Sequence, residues 1–190
     1  MNLDTMARDV AVGAQVEVLE GIGHEDTALA IWERPALPAL HAALTLLDLD
    51  AVDDVVAEIA TNAALDDLLR AAGYPEAVVD AIAADIVLLA HHHAELTDAD
   101  RLSLKLEVVE TDACRRFHAD YVTLRMLCTY VGPGTQWQRV ADPDTIGQVP
   151  TGAVAVFKGR LLLDPPAVLH RSPPIIASGE RRLLLAIDPA

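Results

Sequence analysis

The sequence predicts an α+β fold, with a mainly helical stretch over residues 1–100 packed on a compact β-barrel built from residues 101–190. Three observations lead there. Apolar residues recur at helical spacing between Pro38 and Ala94. The period then changes: Leu102, Leu104, Leu106 and Val108 alternate with Ser103, Lys105 and Glu107, as in a half-buried strand. Beyond it, short apolar runs and Gly or Pro turns follow one another closely, the pattern of a sandwich or barrel. One domain accommodates all of this, because 190 residues can bury a proper core.

Taken in order, Val10-Ala11-Val12 and Val16-Glu17-Val18 alternate and suggest one strand before Gly21-Ile22-Gly23. Leu29-Ala30-Ile31-Trp32, closed by Pro35, reads as a buried strand. Leu40, Leu44 and Leu47 mark a first helix, and Val55, Val56 and Ile59 a second helical segment. Gly73 ends a third segment as a helix C-terminus prefers, and Pro75 suits the first turn of the next. In that helix Val78, Val79, Ile82, Ile86 and Leu89 form one apolar stripe, with Asp80 and Asp85 on the solvated side. His91-His92-His93 ends it. Three consecutive helical residues diverge and cannot all meet one ion, whereas a cationic histidine near a helix C-terminus is favourable by itself. Further strands are expected over 124–131, 153–157, 160–163, 167–171 and 182–187. Gly132-Pro133-Gly134, Pro143-Asp144, Gly152, Gly159, Pro165-Pro166 and Ser178-Gly179 make the turns between them.

Charge and composition exclude several classes of function. A formal net charge of -15 argues against a nucleic-acid partner and against an anionic membrane surface. Cys114 and Cys128 make neither a disulfide framework nor a zinc motif. Met1-Asn2-Leu3-Asp4-Thr5 lacks the basic start and apolar core of a signal peptide, and no apolar run is expected to reach a membrane span of ~20 residues. A cytoplasmic protein acting on a small molecule is the expectation; oligomeric state is not legible.

The chemistry concentrates in the second half. His118 and Asp120 alternate with one residue between them, so both side chains can leave the same side of a strand end. His170, in Val168-Leu169-His170 before Pro173-Pro174, can return to the same spot from another strand. Two histidines and a carboxylate are the ligand set that leaves half of an octahedral iron site open. Among seven histidines a His-x-Asp pair is weak by itself; its strand context, the later histidine and the following arginine strengthen it. Arg181 or Arg182 can hold a carboxylate bidentately, and adjacent strand residues point to opposite faces, so at most one of the two faces inward. Tyr130 is a candidate hydrogen-bond partner for a bound acid, and Trp137 a candidate for the rim.

These residues also carry a resemblance. Arg116-Phe117-His118-Ala119-Asp120, the run from Leu127-Cys128-Thr129-Tyr130 through Gly132-Pro133-Gly134-Thr135-Gln136-Trp137, and His170-Arg171-Ser172-Pro173 with Arg181-Arg182-Leu183 resemble a bacterial family catalogued as domain of unknown function 1826. The resemblance covers most of the chain and is strongest over 114–188. More distantly, the same stretch is similar to the iron(II)- and 2-oxoglutarate-dependent oxygenases, which fold as a double-stranded β-helix, a jelly-roll or cupin-like barrel. That similarity implies His118, Asp120 and His170 as metal ligands and catalytic centre, Fe(II) as the metal and 2-oxoglutarate as co-substrate. It also implies Arg181 as the anchor of the 2-oxoglutarate tail, or Arg182 if the register shifts by one. Arg171 beside the distal histidine and the Gly132-Pro133-Gly134-Thr135 loop depart from the oxygenase pattern. Two other readings use the same residues: a metal-handling protein with zinc in a closed tetrahedral shell, helped by His91, His92 and His93, and a β-barrel interaction module without metal.

Overall fold

The structure is a computed structural model and describes residues 9–60 and 64–190. Among these residues the strands are β1 (Val10–Gly13), β2 (Leu29–Trp32), β3 (Val55–Ala60), β4 (Arg101–Val109), β5 (Leu124–Val131), β6 (Gln136–Arg139), β7 (Asp142–Gln148), β8 (Val154–Lys158), β9 (Val168–Arg171) and β10 (Arg182–Pro189). The helices are α1 (Pro38–Leu44), α2 (Asp66–Ala71) and α3 (Glu76–Thr97), with a 3-10 helix over Val16–Gly23. Seven strands form one sheet in the order β1-β2-β8-β5-β10-β4-β3, and three form a second in the order β7-β6-β9. The result is a mixed α/β fold, mostly sheet with few helices.

Alternation along the strands separates two cores. Leu183, Leu185 and Ile187 of β10, with Met126 and Cys128 of β5, face α1, α3 and the 3-10 helix. Leu184 and Ala186, with Leu127, face the other way, against Phe157, Val168 and Trp137 beneath the three-stranded sheet. Period-2 side-chain placement thus gives every central strand one face toward the helices and one toward the smaller sheet. We call the second its inner face. The smaller sheet is too narrow to cover all of it, and this geometry creates the cleft described below.

The first hundred residues, expected as a mainly helical part packed on the strands, are themselves part of the main sheet. They supply β1, β2 and β3, both edges of the seven-stranded sheet among them. Val55, Val56 and Ile59 lie on β3, paired antiparallel with β4 (Val55↔Leu106, Ile59↔Leu102). Val55 and Ile59 are buried while Val56 is 68% exposed. A spacing of four satisfies both a helical turn and strand alternation, which is why the helical expectation failed here. Val16 and Val18 belong to the 3-10 helix, whose buried residues are Leu19 and Ile22, three apart. Residues 160–163 form turns rather than a strand. Pro143 and Asp144 lie inside β7, whose exposed edge position tolerates proline and shows no apolar alternation.

In α3 the histidine tract lies before the last turn: His91 and His92 approach Glu95, and His93 is fully buried. By length and composition this helix could cross a bilayer, contrary to the expectation that no run is long enough; half of its most apolar window is buried inside the protein. Asp85 is not solvated either. It is buried and accepts two hydrogen bonds from Arg34, at 2.6 and 2.9 Å.

Candidate metal centre and its cleft

The residues between β4 and β5 are irregular, yet they are tied to β9 and the loop after it. His118 and His170 exchange both backbone hydrogen bonds at 2.9 Å, an isolated antiparallel bridge. Ser172 N–H donates to the Cys114 carbonyl at 3.0 Å, and Asp112 Oδ1 accepts from Ile175 N–H at 2.8 Å. A directly opposed pair places its side chains on one face. The two imidazoles therefore meet, with ring centroids 4.7 Å apart, and His170 also rests against Phe157 at 4.6 Å. Asp120, two residues beyond His118, joins them.

The ligating atoms of His118, Asp120 and His170 all lie within 4.8 Å of one another. His170 Nε2 is 3.1 Å from Asp120 Oδ2, and His118 Nε2 is 3.8 Å from Asp120 Oδ1. The His118 Nδ1–H donates to the Arg116 carbonyl at 2.8 Å, which turns Nε2 and its lone pair toward the carboxylate. Burial holds His170 below the usual histidine range against the opposing pull of Asp120, so it is a neutral imidazole with a lone pair to give. Burial alone would raise the Asp120 carboxyl, but His170, Arg125 and His118 outweigh it and the group sits below the ordinary carboxylate value. Asp120 Oδ2 is buried and, although His170 Nε2 stands 3.1 Å away, has no hydrogen-bond donor of good geometry.

A buried carboxylate oxygen without a well-aligned donor, close to two imidazole nitrogens, is costly without a cation between them. Ligands of one ion bound at ~2.0–2.2 Å are themselves roughly 3 Å apart, close to the separations seen. The donor set fits a divalent metal of the kind that takes mixed nitrogen and oxygen ligands.

Of the two candidate arginines, Arg182 lies beside this site. Arg181 reaches away to Asp50 and Glu110, each at 2.6 Å. Arg182 is 0% exposed and donates only to neutral acceptors. Nε bonds the Pro133 carbonyl at 2.7 Å, Nη1 the Ser172 hydroxyl at 2.6 Å, and Nη2 the Thr129 and Thr135 hydroxyls at 3.0 and 3.1 Å. Burial pushes its pKa down to about 10, which leaves it cationic at neutral pH. The Gly132-Pro133-Gly134 turn makes room for it. Gly132 has φ +81°, and a Cβ there would strike the Arg181 carbonyl oxygen; one on Gly134 would strike the Val149 carbonyl oxygen.

The two histidines of the triad, and the Thr135 and Ser172 hydroxyls that hold Arg182 behind them, line one cleft of about 590 Å³, with Arg125 among its other walls. The cleft continues across Leu184 and Ala186 to Ser103, Lys105 and Val56, on the part of the inner face toward the β3 edge.

The other residues singled out in the sequence lie elsewhere or play other parts. Tyr130 does not face the cleft: β5 turns Thr129 inward and Tyr130 toward the helices, where its hydroxyl donates to Asp85 Oδ2 at 2.7 Å. Arg171 lines the cleft but is held by Gln136 at 2.8 Å and lies 4.3 Å from the centroid of the Phe117 ring. Trp137 packs in the inner core with its ring against Gly147. Cys128 is buried on the helix side, whereas Cys114 is exposed and lines the cleft. His91, His92 and His93 are not part of the metal-ligand cluster.

Sequence reading missed Arg125 with Asp188 as a pair, and Thr129, Thr135 and Ser172 as the cradle of Arg182. One signal was available: Arg125 stands in the otherwise apolar run Leu124–Val131 on a central strand, and a cation there demands an acid.

Comparison with solved structures follows the same lines. The chain superimposes on a rice dioxygenase for auxin oxidation with TM-score 0.54 at 15% identity, covering 95% of this chain and 82% of that one. It superimposes on a protein from Shewanella oneidensis assigned as an oxygenase with TM-score 0.56 at 12% identity, covering 95% and 88%. At such identities the likeness shows a shared fold and no more. No curated protein matches the sequence. The family described as "Protein of unknown function (DUF1826)" matches residues 13–188, and the chain belongs to it.

Proposed function

We propose that this protein is a mononuclear non-haem iron(II) oxygenase that uses 2-oxoglutarate, or a closely similar keto acid, to oxidise a small molecule. The observation that carries this reading is a single cleft holding two complementary deficits. One is the His118, Asp120, His170 cluster, which lacks a cation. The other is Arg182, a buried cation whose hydrogen-bond partners are all neutral. A molecule with a metal-chelating end and a distal carboxylate answers both.

His118 Nε2, His170 Nε2 and Asp120 Oδ2 would hold the iron, and bound Fe(II) would supply the redox chemistry with oxygen. The chain's own residues do the rest. The Ser172 and Thr135 hydroxyls accept from Arg182, so their own protons remain to donate to a carboxylate in the cleft. The guanidinium behind them supplies the matching charge where there is little water to screen it. The Arg116 carbonyl fixes the His118 tautomer, and packing on Phe157 fixes the His170 ring. A closed tetrahedral zinc shell fits less well, because it needs a fourth protein ligand and the described cluster has three members.

Anaerobic titration of the iron(II)-loaded protein with 2-oxoglutarate tests this, following the weak visible band that keto-acid chelation produces. Arg182→Ala is expected to weaken 2-oxoglutarate binding by tens- to thousands-fold, the usual result of losing a buried charge partner worth ~2–5 kcal/mol, while iron stays bound. Arg181→Ala should leave it unchanged. A parent protein that shows no band at millimolar 2-oxoglutarate overturns the co-substrate assignment.

A further inference from the structure

Arg125 leaves β5 on the inner face, and its guanidinium is shared between two carboxylates. Nε and Nη2 donate to Asp188 Oδ1 and Oδ2 at 2.8 and 2.6 Å, a two-toothed hold that fixes the plane of the group. Asp188 stands on β10, which pairs directly with β5. The remaining arm, Nη1, lies 2.7 Å from Asp120 Oδ1. The cation therefore reaches the triad from a rigid base of two paired central strands. It takes one oxygen of the only carboxylate in the triad and leaves the other, Oδ2, beside His170 with no donor of good geometry.

Two consequences follow from elementary chemistry. A carboxylate can ligate through one oxygen or two, and the two-oxygen mode would consume a position on the open face that small molecules must use. With Oδ1 engaged by a guanidinium, ligation through Oδ2 alone is the favoured mode, because drawing Oδ1 onto the ion would compete with that charged contact. In addition, a fixed positive charge next to a ligand disfavours each further positive charge on the ion, so it penalises the trivalent state more than the divalent one. Asp188 offsets that effect in part, being the counter-charge on the far side of Arg125.

We propose that Arg125 is the positioning residue of this centre: it restricts Asp120 to a single ligating oxygen and, in balance with Asp188, biases the bound metal toward the divalent state. The inference rests on the reading that the triad holds iron, and it adds a charge relay Asp188–Arg125–Asp120 to that reading.

The test uses the full chain, reconstituted anaerobically with Fe(II), and reads the midpoint potential of the iron couple. Arg125→Gln is expected to raise the Fe(III) over Fe(II) affinity ratio at least ~10-fold, a fall of ~59 mV for a one-electron couple. Asp188→Asn should move the potential the opposite way, because it removes the counter-charge and keeps the cation. Arg125→Lys should recover most of the parent potential, since it restores charge. It should not restore the ligand mode, because an ammonium on a flexible stem lacks the planar fork that holds Asp188 bidentately while reaching Asp120. Infrared difference spectra of the Zn(II)-loaded protein report that mode. The separation of the Asp120 carboxylate stretches should be wide in the parent and narrow in Arg125→Gln and Arg125→Lys.

A purely structural Arg125 would loosen the site without opposite-signed shifts. An Arg125→Gln protein that holds a full equivalent of iron with the parent potential and the parent stretches overturns the proposal. So does an Asp188→Asn protein whose potential fails to rise, and this variant decides the matter if Arg125→Gln does not fold. Failure of the underlying iron reading looks different: the parent then binds no iron, or His170→Ala keeps it.

Discussion

His93 offers a quantitative check on the helix–sheet core that supports the cleft. Its side chain is 0% exposed, between α3 and the seven-stranded sheet, and neither ring nitrogen has a hydrogen-bond partner of good geometry. Burial pushes its pKa down from 6.5 to about 4, against smaller opposing contributions from Asp188 and the nearby Leu124 backbone. In the unfolded chain the ring takes up its proton near pH 6.5, whereas in the folded protein it does so only near pH 4. Between those values the unfolded state binds more protons, so the stability tied to His93 is complete above pH 6.5 and is lost as pH falls toward 4. A difference of about 2.5 pH units corresponds to roughly 3 kcal/mol. Carboxylates also titrate in that range, so the useful quantity is the difference between parent and His93→Leu. Denaturant melts at pH 7 and pH 4 should show the parent losing roughly 3 kcal/mol more than the variant on acidification. Equal losses would refute the reasoning and mean that the ring is hydrated or paired in solution.

Two further outcomes follow from the geometry of the site and its support. The purified protein should bind about one divalent metal ion, and His118→Ala, Asp120→Ala or His170→Ala should each remove most of it; elemental analysis decides, and full retention alongside loss in His91→Ala or His92→Ala would move the site to the tract. Asp85→Ala should destabilise the fold by about 3–5 kcal/mol in urea melts, because it strands the buried Arg34 guanidinium, whereas Arg70→Ala, which breaks an exposed pair, should cost no more than ~1 kcal/mol.

The clustering of His118, Asp120 and His170 in the candidate site was legible because its spacing is local chemistry. His-x-Asp, a later histidine ending a strand and an arginine opening the next are readable wherever the strands are, and the period switch at Leu102 located those strands. Which arginine faces inward was not legible. That depends on which face of β10 lies over the smaller sheet, and one residue of register exchanges Arg181 for Arg182. Tyr130 follows the same rule: alternation along β5 puts it with Met126 and Cys128 on the helix side, and which side that is depends on the tertiary packing. Thr129 and Thr135 gave no signal because hydroxyls become a cradle only when a tertiary fold brings a buried guanidinium to them. Strands β3 and β7 were hard to see for a different reason. Val55 and Ile59 satisfy two periods at once, and β7 carries no apolar face at all.

The open flank of the cleft has a consequence for how such a protein can change. The His118, Asp120, His170 cluster and the Arg182 cradle lie at one end, tied to β5, β9, β10 and the adjoining loops by hydrogen bonds that tolerate little alteration. Val56, Ser103 and Lys105 lie at the other end, and none of them holds a part of that machinery. Substitution there reshapes the open part of the cleft without disturbing the triad and the Arg182 cradle. Relatives built on this plan can therefore diverge in the shape of the cleft while keeping the triad, and the residues to compare among them are those of β3 and β4.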